Sequence, residues 1–310
     1  MKKIFFLWII FLGILSVQKM AGAKEISFFS YDYQGAIDGR PLQLQLRIIG
    51  DSAEGNFCYQ PCKTRNVSGM NFWLQGKKNR DAWLLDERDD KDGKPSGTWE
   101  ISVSAEGDMV GERTSVDKTI RNKIILKSSR PTFPYVIKIM SYNEDDEQND
   151  RPCNIRIAAL EIFNHQKLMQ KINISSEREN DECPIVQDYN FDGFRDIALS
   201  RESGVGANTI YDLWIYSPLA KKFIKTPVLD NISNPQIDTK RKLIYAHWRS
   251  SSSTHGAAVY KWEGKKLKRI RYADTTEKSS TNQNGETVFC RSDPLYSVDT
   301  GKFEWYSYCK

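Results

Sequence analysis

Histidine is scarce in this chain: there are three in 310 residues, at positions 165, 247 and 255, and they are too scattered to form a ligand cluster. There is no GxSxG, no HExxH and no Cys/His pair in a recognisable setting, so neither nucleophilic hydrolysis nor zinc hydrolysis has a sequence template. Cys58-Tyr-Gln-Pro-Cys62 has CxxxC spacing, which differs from the CxxC of redox and zinc sites. The 40 acidic residues offer many carboxylate pairs but no spacing that selects one for glycoside cleavage. A run of Ser250 to Ser253 before His255 reads as a loop rather than as a nucleophile with its base. These absences favour a protein that binds over one that catalyses. Beyond residue 23 no apolar run approaches the ~20 residues that a membrane-spanning helix needs. Charge of one sign is missing too. Setting aside Lys2, Lys3 and Lys19 leaves 42 basic residues against 40 acidic ones, so nucleic acid is not an expected partner.

The first 23 residues account for the apparent basicity. Lys2 and Lys3, an apolar run from Ile4 to Val17, and Ala21-Gly22-Ala23 have the three-part order of a secretory signal peptide. The expectation is a periplasmic or secreted protein, cleaved near Ala23, with no membrane span left afterwards. All six cysteines, at 58, 62, 153, 183, 290 and 309, follow that leader, and an even number in an exported chain reads as disulfides. Neighbours in sequence suggest Cys58 with Cys62, Cys153 with Cys183, and Cys290 with Cys309, although connectivity is not fixed by sequence.

The rest reads as all-β. Leu42 to Ile48 alternates apolar and polar residues with period two, as a half-buried antiparallel strand does. Lys91-Asp-Gly-Lys94 is a hairpin turn leading into a strand at 97–103. Residues 24–127 are expected to form an antiparallel barrel or sandwich, and the proline-bearing segment 128–134 a linker. Residues 135–310 carry a weak repeat at 160–169, 213–224, 258–267 and 295–305. Each copy is an aromatic-rich strand, a short polar turn with lysines, and a hydrophobic restart. That spacing suits a meander of hairpins, propeller-like or sandwich-like. Residues 158–171 could compete as a helix, but their isoleucines and asparagine turn favour a hairpin. The acidic run 143–150 reads as a hairpin tip and the polar stretch 275–287 as a mobile loop.

The most specific motif is DYNFDGFRD, residues 188–196. Calcium takes six to eight hard oxygen ligands and accepts short loops whose alternate residues point inward. Asp188, Asn190 and Asp192 would supply side-chain oxygens and Gly193 the sharp turn. Phe194 would offer its carbonyl and Asp196 would close the shell. Where a helix–loop–helix site has a bidentate glutamate, this chain has Leu199, and both flanks look like strands. The D-x-[DN]-x-D-G-x-x-D pattern resembles the calcium loops of FG-GAP and VCBS-type repeats. That resemblance implies one structural Ca2+.

Two small-residue loops follow the motif: Arg201 to Tyr211, with Gly204, Gly206 and Asn208, and Arg249 to Ala258. Loops held by rigid sheets concentrate function, so the two are candidates for one binding face. Together with the calcium loop, over roughly residues 150–272, they resemble exported immunity proteins whose C-terminal domains are similar to periplasmic lysozyme inhibitors. The resemblance implies a protein partner, a peptidoglycan hydrolase, plugged by a protruding loop. Carried over, the contact residues would be Ser203, Gly204, Asn208 and Tyr211, with His255 beside them. The other reading is a calcium-stiffened adhesion or interaction module of the envelope.

Overall fold

The structure is a computed structural model. It describes residues 24–310 except 61, 63–71, 90–92, 105–106, 129–134, 142–156, 165, 175–182, 205–207, 252, 282–283 and 310. The expected leader 1–23, the acidic run 143–150, His165 and Cys153 thus lie outside the described residues. Among those described there is no α-helix, only a 3-10 turn at Pro227–Leu229. No helix among them is long and apolar enough to cross a membrane.

Eight antiparallel strands close the first barrel: β1 Lys24–Ile37, β2 Arg40–Ile49, β3 Ser52–Tyr59, β4 Phe72–Asn79, β5 Ala82–Arg88, β6 Pro95–Val103, β7 Met109–Ser115 and β8 Arg121–Ser128. Closure comes from β8 returning to β1, with Tyr33 opposite Ser128 and Ile37 opposite Ile124. The alternation in β2 puts Leu42, Leu44, Leu46 and Ile48 inside, as a period-two strand with one buried face must. Phe57, Trp99 and Leu85 meet them there and fill the lumen. Glycines let the wall close. A Cβ on Gly76 would lie 1.9 Å from the Leu84 carbonyl oxygen, and one on Gly111 would lie 2.1 Å from that of Glu100.

The barrel interior also holds a buried charge pair. Glu87 is 1% exposed. Its Oε1 accepts from the Ser96 hydroxyl at 2.8 Å, and its Oε2 from Trp99 Nε1 at 2.5 Å. Arg113 donates Nε to Oε2 and Nη2 to Oε1, both at 2.6 Å. Burial pushes the Glu87 carboxyl up, but the bonds from Arg113, Trp99 and Ser96 outweigh it and hold it below its ordinary value.

Strand β1 has 14 residues, and only its second half closes the barrel. Its first half, Lys24 to Phe28, pairs instead with β9 Tyr135–Ser141, followed by β10 Ile157–Asn164 and β11 Lys167–Asn173. The 24–127 segment is therefore not self-contained, since its opening residues complete the first sheet of the C-terminal part. Two four-stranded sheets follow. One is β12 Ile185–Gln187, β13 Asp196–Gly204, β14 Asn208–Ser217 and β15 Lys222–Thr226; the other is β16 Gln236–Asp238, β17 Leu243–Arg249, β18 His255–Glu263 and β19 Lys266–Asp274. The last sheet has three strands: β20 Thr276–Thr281, β21 Thr287–Ser297 and β22 Lys302–Cys309.

Each copy of the weak repeat is the closing hairpin of one sheet: β10–β11, β14–β15, β18–β19 and β21–β22. The sheets pack face on face. Ile139, Leu160 and Ile162 meet Leu199, Trp214 and Tyr216 between the first and second. Tyr189, Leu213, Ile244 and Ala246 fill the space between the second and third. Tyr245, Val259 and Tyr296 join the third to the fourth. Residues 158–164 and 167–171 pair as a hairpin, as read. The 275–287 stretch was expected to be a loop, but Thr276 to Thr281 pairs with β21 as an edge strand whose side chains at 276–279 and 281 are exposed. Cys58–Cys62 and Cys290–Cys309 are disulfides, and Cys183 is also disulfide-bonded.

Removing one partner of a buried ion pair leaves an uncompensated charge. Arg113→Ala is therefore expected to cost about 3–5 kcal/mol at neutral pH, measured by denaturant unfolding. The folded pKa of Glu87 is depressed, so the pair's contribution is full above the unfolded value of about 4.3 and fades as pH falls through the lower folded value. The gap between wild type and Arg113→Ala should narrow in acid; a gap that is constant down to pH ~3 contradicts the assignment.

Candidate metal loop and contact face

The acidic nonapeptide joins β12 to β13, the strand-to-strand setting expected from its flanks. Its side chains fold the loop around themselves. Asp188 accepts from the backbone N–H groups of Asp192 at 3.1 Å and Gly193 at 2.9 Å. Asn190 Oδ1 accepts from the Asp192 N–H at 3.1 Å, and Asp192 Oδ1 from the Phe194 N–H at 2.8 Å. Gly193 sits at φ +94° and Phe191 at φ +61°, the left-handed angles a chain this tightly coiled needs.

Asp196 behaves differently from its neighbours. It is fully buried, and its two oxygens accept from Tyr189 N–H at 2.8 Å and Tyr216 N–H at 2.9 Å. Its carboxylate therefore staples the loop to β14. Burial, and then the charges of Asp192 and Asp188, push its pKa up to about 7. Asp188 is raised as well, by burial first and by Asp192. Among the described residues no three His, Cys, Asp or Glu side chains are gathered into a metal cage. The carboxylates lie near one another but spend their oxygens on backbone N–H groups and, at Asp192 Oδ2, on Asn190 Nδ2 at 2.8 Å. The donor set still fits a hard cation, because Asp188, Asn190, Asp192 and the Phe194 carbonyl offer only oxygens. The crowded carboxylates also leave negative charge that a cation would offset.

The loop is bolted to three parts of the fold. Arg195, 4% exposed, donates to the Ser30 carbonyl at 3.1 Å and pairs with the Asp32 carboxylate, both on β1. Asp196 holds β14. Trp262 Nε1, from the third sheet, donates to the Tyr189 carbonyl at 2.8 Å.

The candidate contact face lies at the far end of the same hairpin. Strand β13 runs from Asp196 beside the loop to Gly204 at the tip, nine residues or about 26 Å. Ser203 and Gly204 are strand residues, paired with Thr209 and Asn208, so they do not form a free loop. Tyr211 points inward. It is 8% exposed and packs with Leu213 and Tyr189 between the second and third sheets. It cannot plug a partner's cleft, which corrects the role carried over from the resemblance.

Asn208 has a part that sequence did not show. Its side chain donates Nδ2 to the Arg249 carbonyl at 2.7 Å and accepts from the Arg249 N–H at 2.9 Å. This double bond-pair clamps the β13–β14 tip to the β17–β18 tip. Asn234 braces the same junction, accepting from Thr209 N–H at 3.0 Å and donating to the His247 carbonyl at 3.0 Å. The second tip is closed by Ser250 N–H to the Thr254 carbonyl at 2.8 Å, with Arg249 exposed beside it. His255 is a fastener rather than a probe. Its N–H goes to Thr275 Oγ1 at 2.7 Å, and its Nδ1 lies 3.2 Å from Asp293 and 3.1 Å from Arg291 on the last sheet. Its Nε2 is enclosed and makes no hydrogen bond with a described residue, so no serine–histidine pair is formed with one.

No family model and no curated protein matches the chain. Among solved structures, a candidate 6-phosphogluconolactonase from Bacteroides uniformis aligns at 12% identity and TM-score 0.32, over 92% of this chain and 96% of its own. A Type IV secretion system related protein of Xanthomonas aligns at 11% identity and TM-score 0.26, over 90% and 100%. A protein from Lactobacillus plantarum aligns at 9% identity and TM-score 0.26, over 92% and 95%. At TM-scores this low the likenesses carry no argument about fold or function.

Asn208→Ala removes two hydrogen bonds between the tips. It is expected to cost about 1–2 kcal/mol and to speed amide exchange at Arg249. Exchange at Arg249 as slow as in wild type would show that the clamp does not hold the two tips together.

Proposed function

We propose that this is an exported, calcium-stiffened binding protein that inhibits a peptidoglycan hydrolase by seating its clamped hairpin tips in the enzyme's cleft. The observation that supports it most is the Asn208–Arg249 clamp, which makes two tips from different sheets one pre-organised surface. A surface fixed before binding loses less entropy on association. The contact residues are then Asn208, Arg249 and the serine-rich turn after it, with Tyr211 and His255 supporting from behind. Most glycoside hydrolases work with a pair of carboxylates, and the exposed Arg249 guanidinium is a fitting partner for such a cleft.

Calcium, in this reading, is held by Asp188, Asn190, Asp192 and the Phe194 carbonyl, with Asp196 as the buried charge behind them. It supplies rigidity and no chemistry. Because the loop and the tips lie at opposite ends of β13, calcium acts on binding only by keeping the sheets in place. A second reading, a non-enzymatic adhesion or interaction module of the envelope, is favoured by Phe289, Trp305, Tyr306 and Tyr308, which stand exposed on the last sheet.

Three outcomes are expected. Calcium raises the melting temperature of the mature protein by several degrees, as binding to the folded state alone must. Asp192→Ala abolishes that rise, and a variant that responds like wild type removes Asp192 from the site. In a peptidoglycan-clearing assay against a panel of lysozymes and toxin-type hydrolases, the protein inhibits at least one enzyme and Arg249→Glu loses that inhibition by more than tenfold, as an interface charge reversal does. No inhibition of any hydrolase overturns the reading and leaves the envelope-module alternative.

A further inference from the structure

The last sheet carries a row of three residues that the binding function does not use. Cys290 on β21 faces Cys309 on β22 directly across the antiparallel ladder, and they are joined by a disulfide with Cα atoms 4.0 Å apart. On the other side of Cys290, in register, stands Lys278 of β20. Directly opposed residues share a face, with Cβ atoms about 4.5–5.5 Å apart. The order across the sheet is thus Lys278, Cys290, Cys309 and then open space, because β22 is an edge strand among the described residues. Cys309 is exposed and Cys290 half-buried, whereas Cys58 is 1% and Cys183 9% exposed.

We propose that Cys290–Cys309 is a thiol–disulfide exchange site, attacked at Cys309 by an external thiolate. Exchange needs an accessible sulfur and a leaving thiolate of low basicity. The edge provides the first. An attacker arriving from beyond β22 reaches the exposed Cys309 first, with the half-buried Cys290 on the next strand in. Lys278 provides the second, since an ammonium beside a thiolate lowers its pKa. In the step, the attacker's sulfur bonds to Cys309 Sγ and the Sγ–Sγ bond breaks. The electron pair goes to Cys290 Sγ, which leaves as a thiolate facing Lys278. A second thiolate then takes the mixed disulfide off Cys309, so that one dithiol is oxidised and the Cys290–Cys309 pair is reduced. The attacking group is a thiolate, borne either by a small molecule or by a CxxC protein. The Cys58–Cys62 bond, with one sulfur enclosed, and the bond at Cys183 are structural by comparison.

The experiment treats folded mature protein with reduced glutathione in one arm and reduced thioredoxin in the other. It is quenched with iodoacetamide before unfolding, and each cysteine is read by mass spectrometry. Expected are glutathione on Cys309, alkylation on Cys290, and opening of this bond at lower thiol than the other two. Opening by glutathione alone or by thioredoxin alone supports the site and says which thiol it serves. Lys278→Gln, an exposed change, is expected to slow the step about threefold by removing the ammonium beside the leaving thiolate, without moving the melting temperature. Glutathione on Cys290, opening no earlier than Cys58–Cys62 in both arms, or an unchanged rate in Lys278→Gln overturns the proposal.

Discussion

The buried contact of Arg195 with β1 is the constraint around which the molecule is arranged. An arginine in the middle of an acidic turn would ordinarily stay in solvent. Here it is enclosed and spends its donors on the Ser30 carbonyl and the Asp32 carboxylate. That stretch of β1 is where the strand passes from the first C-terminal sheet to the barrel, since Phe28 still pairs with β9 and Tyr33 already pairs with β8. One side chain thus ties the acidic loop to the joint between the two halves. The neighbouring Asp196 ties it to β14, and Trp262 brings in the third sheet. A loop bonded on three sides cannot change conformation without disturbing all three.

The loop that holds this joint is also the place where charge is least well accommodated. Three carboxylates lie within nine residues, and one is so buried that its pKa is pushed up to about 7. Structures keep such strain where something offsets it. The barrel solves its own charge problem internally, with the Glu87 carboxylate receiving four side-chain hydrogen bonds from three residues. The hydrogen bonds to the acidic loop's carboxylates come instead from backbone N–H groups and from Asn190 Nδ2, while Arg195 donates to Ser30 and pairs with Asp32 on β1. This contrast is what supports the proposal of a cation at the acidic loop.

Much of the architecture was legible because it follows from period and from neighbours in sequence. Alternation marked β2, and two of the cysteine pairs closed as adjacency suggested. The degenerate aromatic hairpins turned out to mark one hairpin in each sheet. What could not be read depends on contacts between distant residues. Nothing in residues 24–37 says that one strand serves two sheets, because its pattern is the same on both sides of the handover. Tyr211 received a contact role only from the family resemblance, whereas the central residues of β14 are covered on both faces by neighbouring sheets. Residues 276–281 lack apolar alternation because β20 is a solvent-facing edge, so pattern alone assigned them to a loop. The Asn208–Arg249 clamp spans 41 positions, and no local signal announces it.

The two ends of the C-terminal stack therefore have different jobs. One end fixes the sheets to each other and to the barrel. At the other, Asn208 and Arg249 join the ends of two hairpins from different sheets. The most direct test of the account is amide hydrogen exchange of residues 24–310 in calcium and in EDTA. The account predicts that calcium slows exchange at Tyr189, Asp192, Gly193 and Tyr216, and also in the Ser30–Asp32 stretch to which Arg195 is bonded. Identical exchange with and without calcium at all of these positions would contradict it.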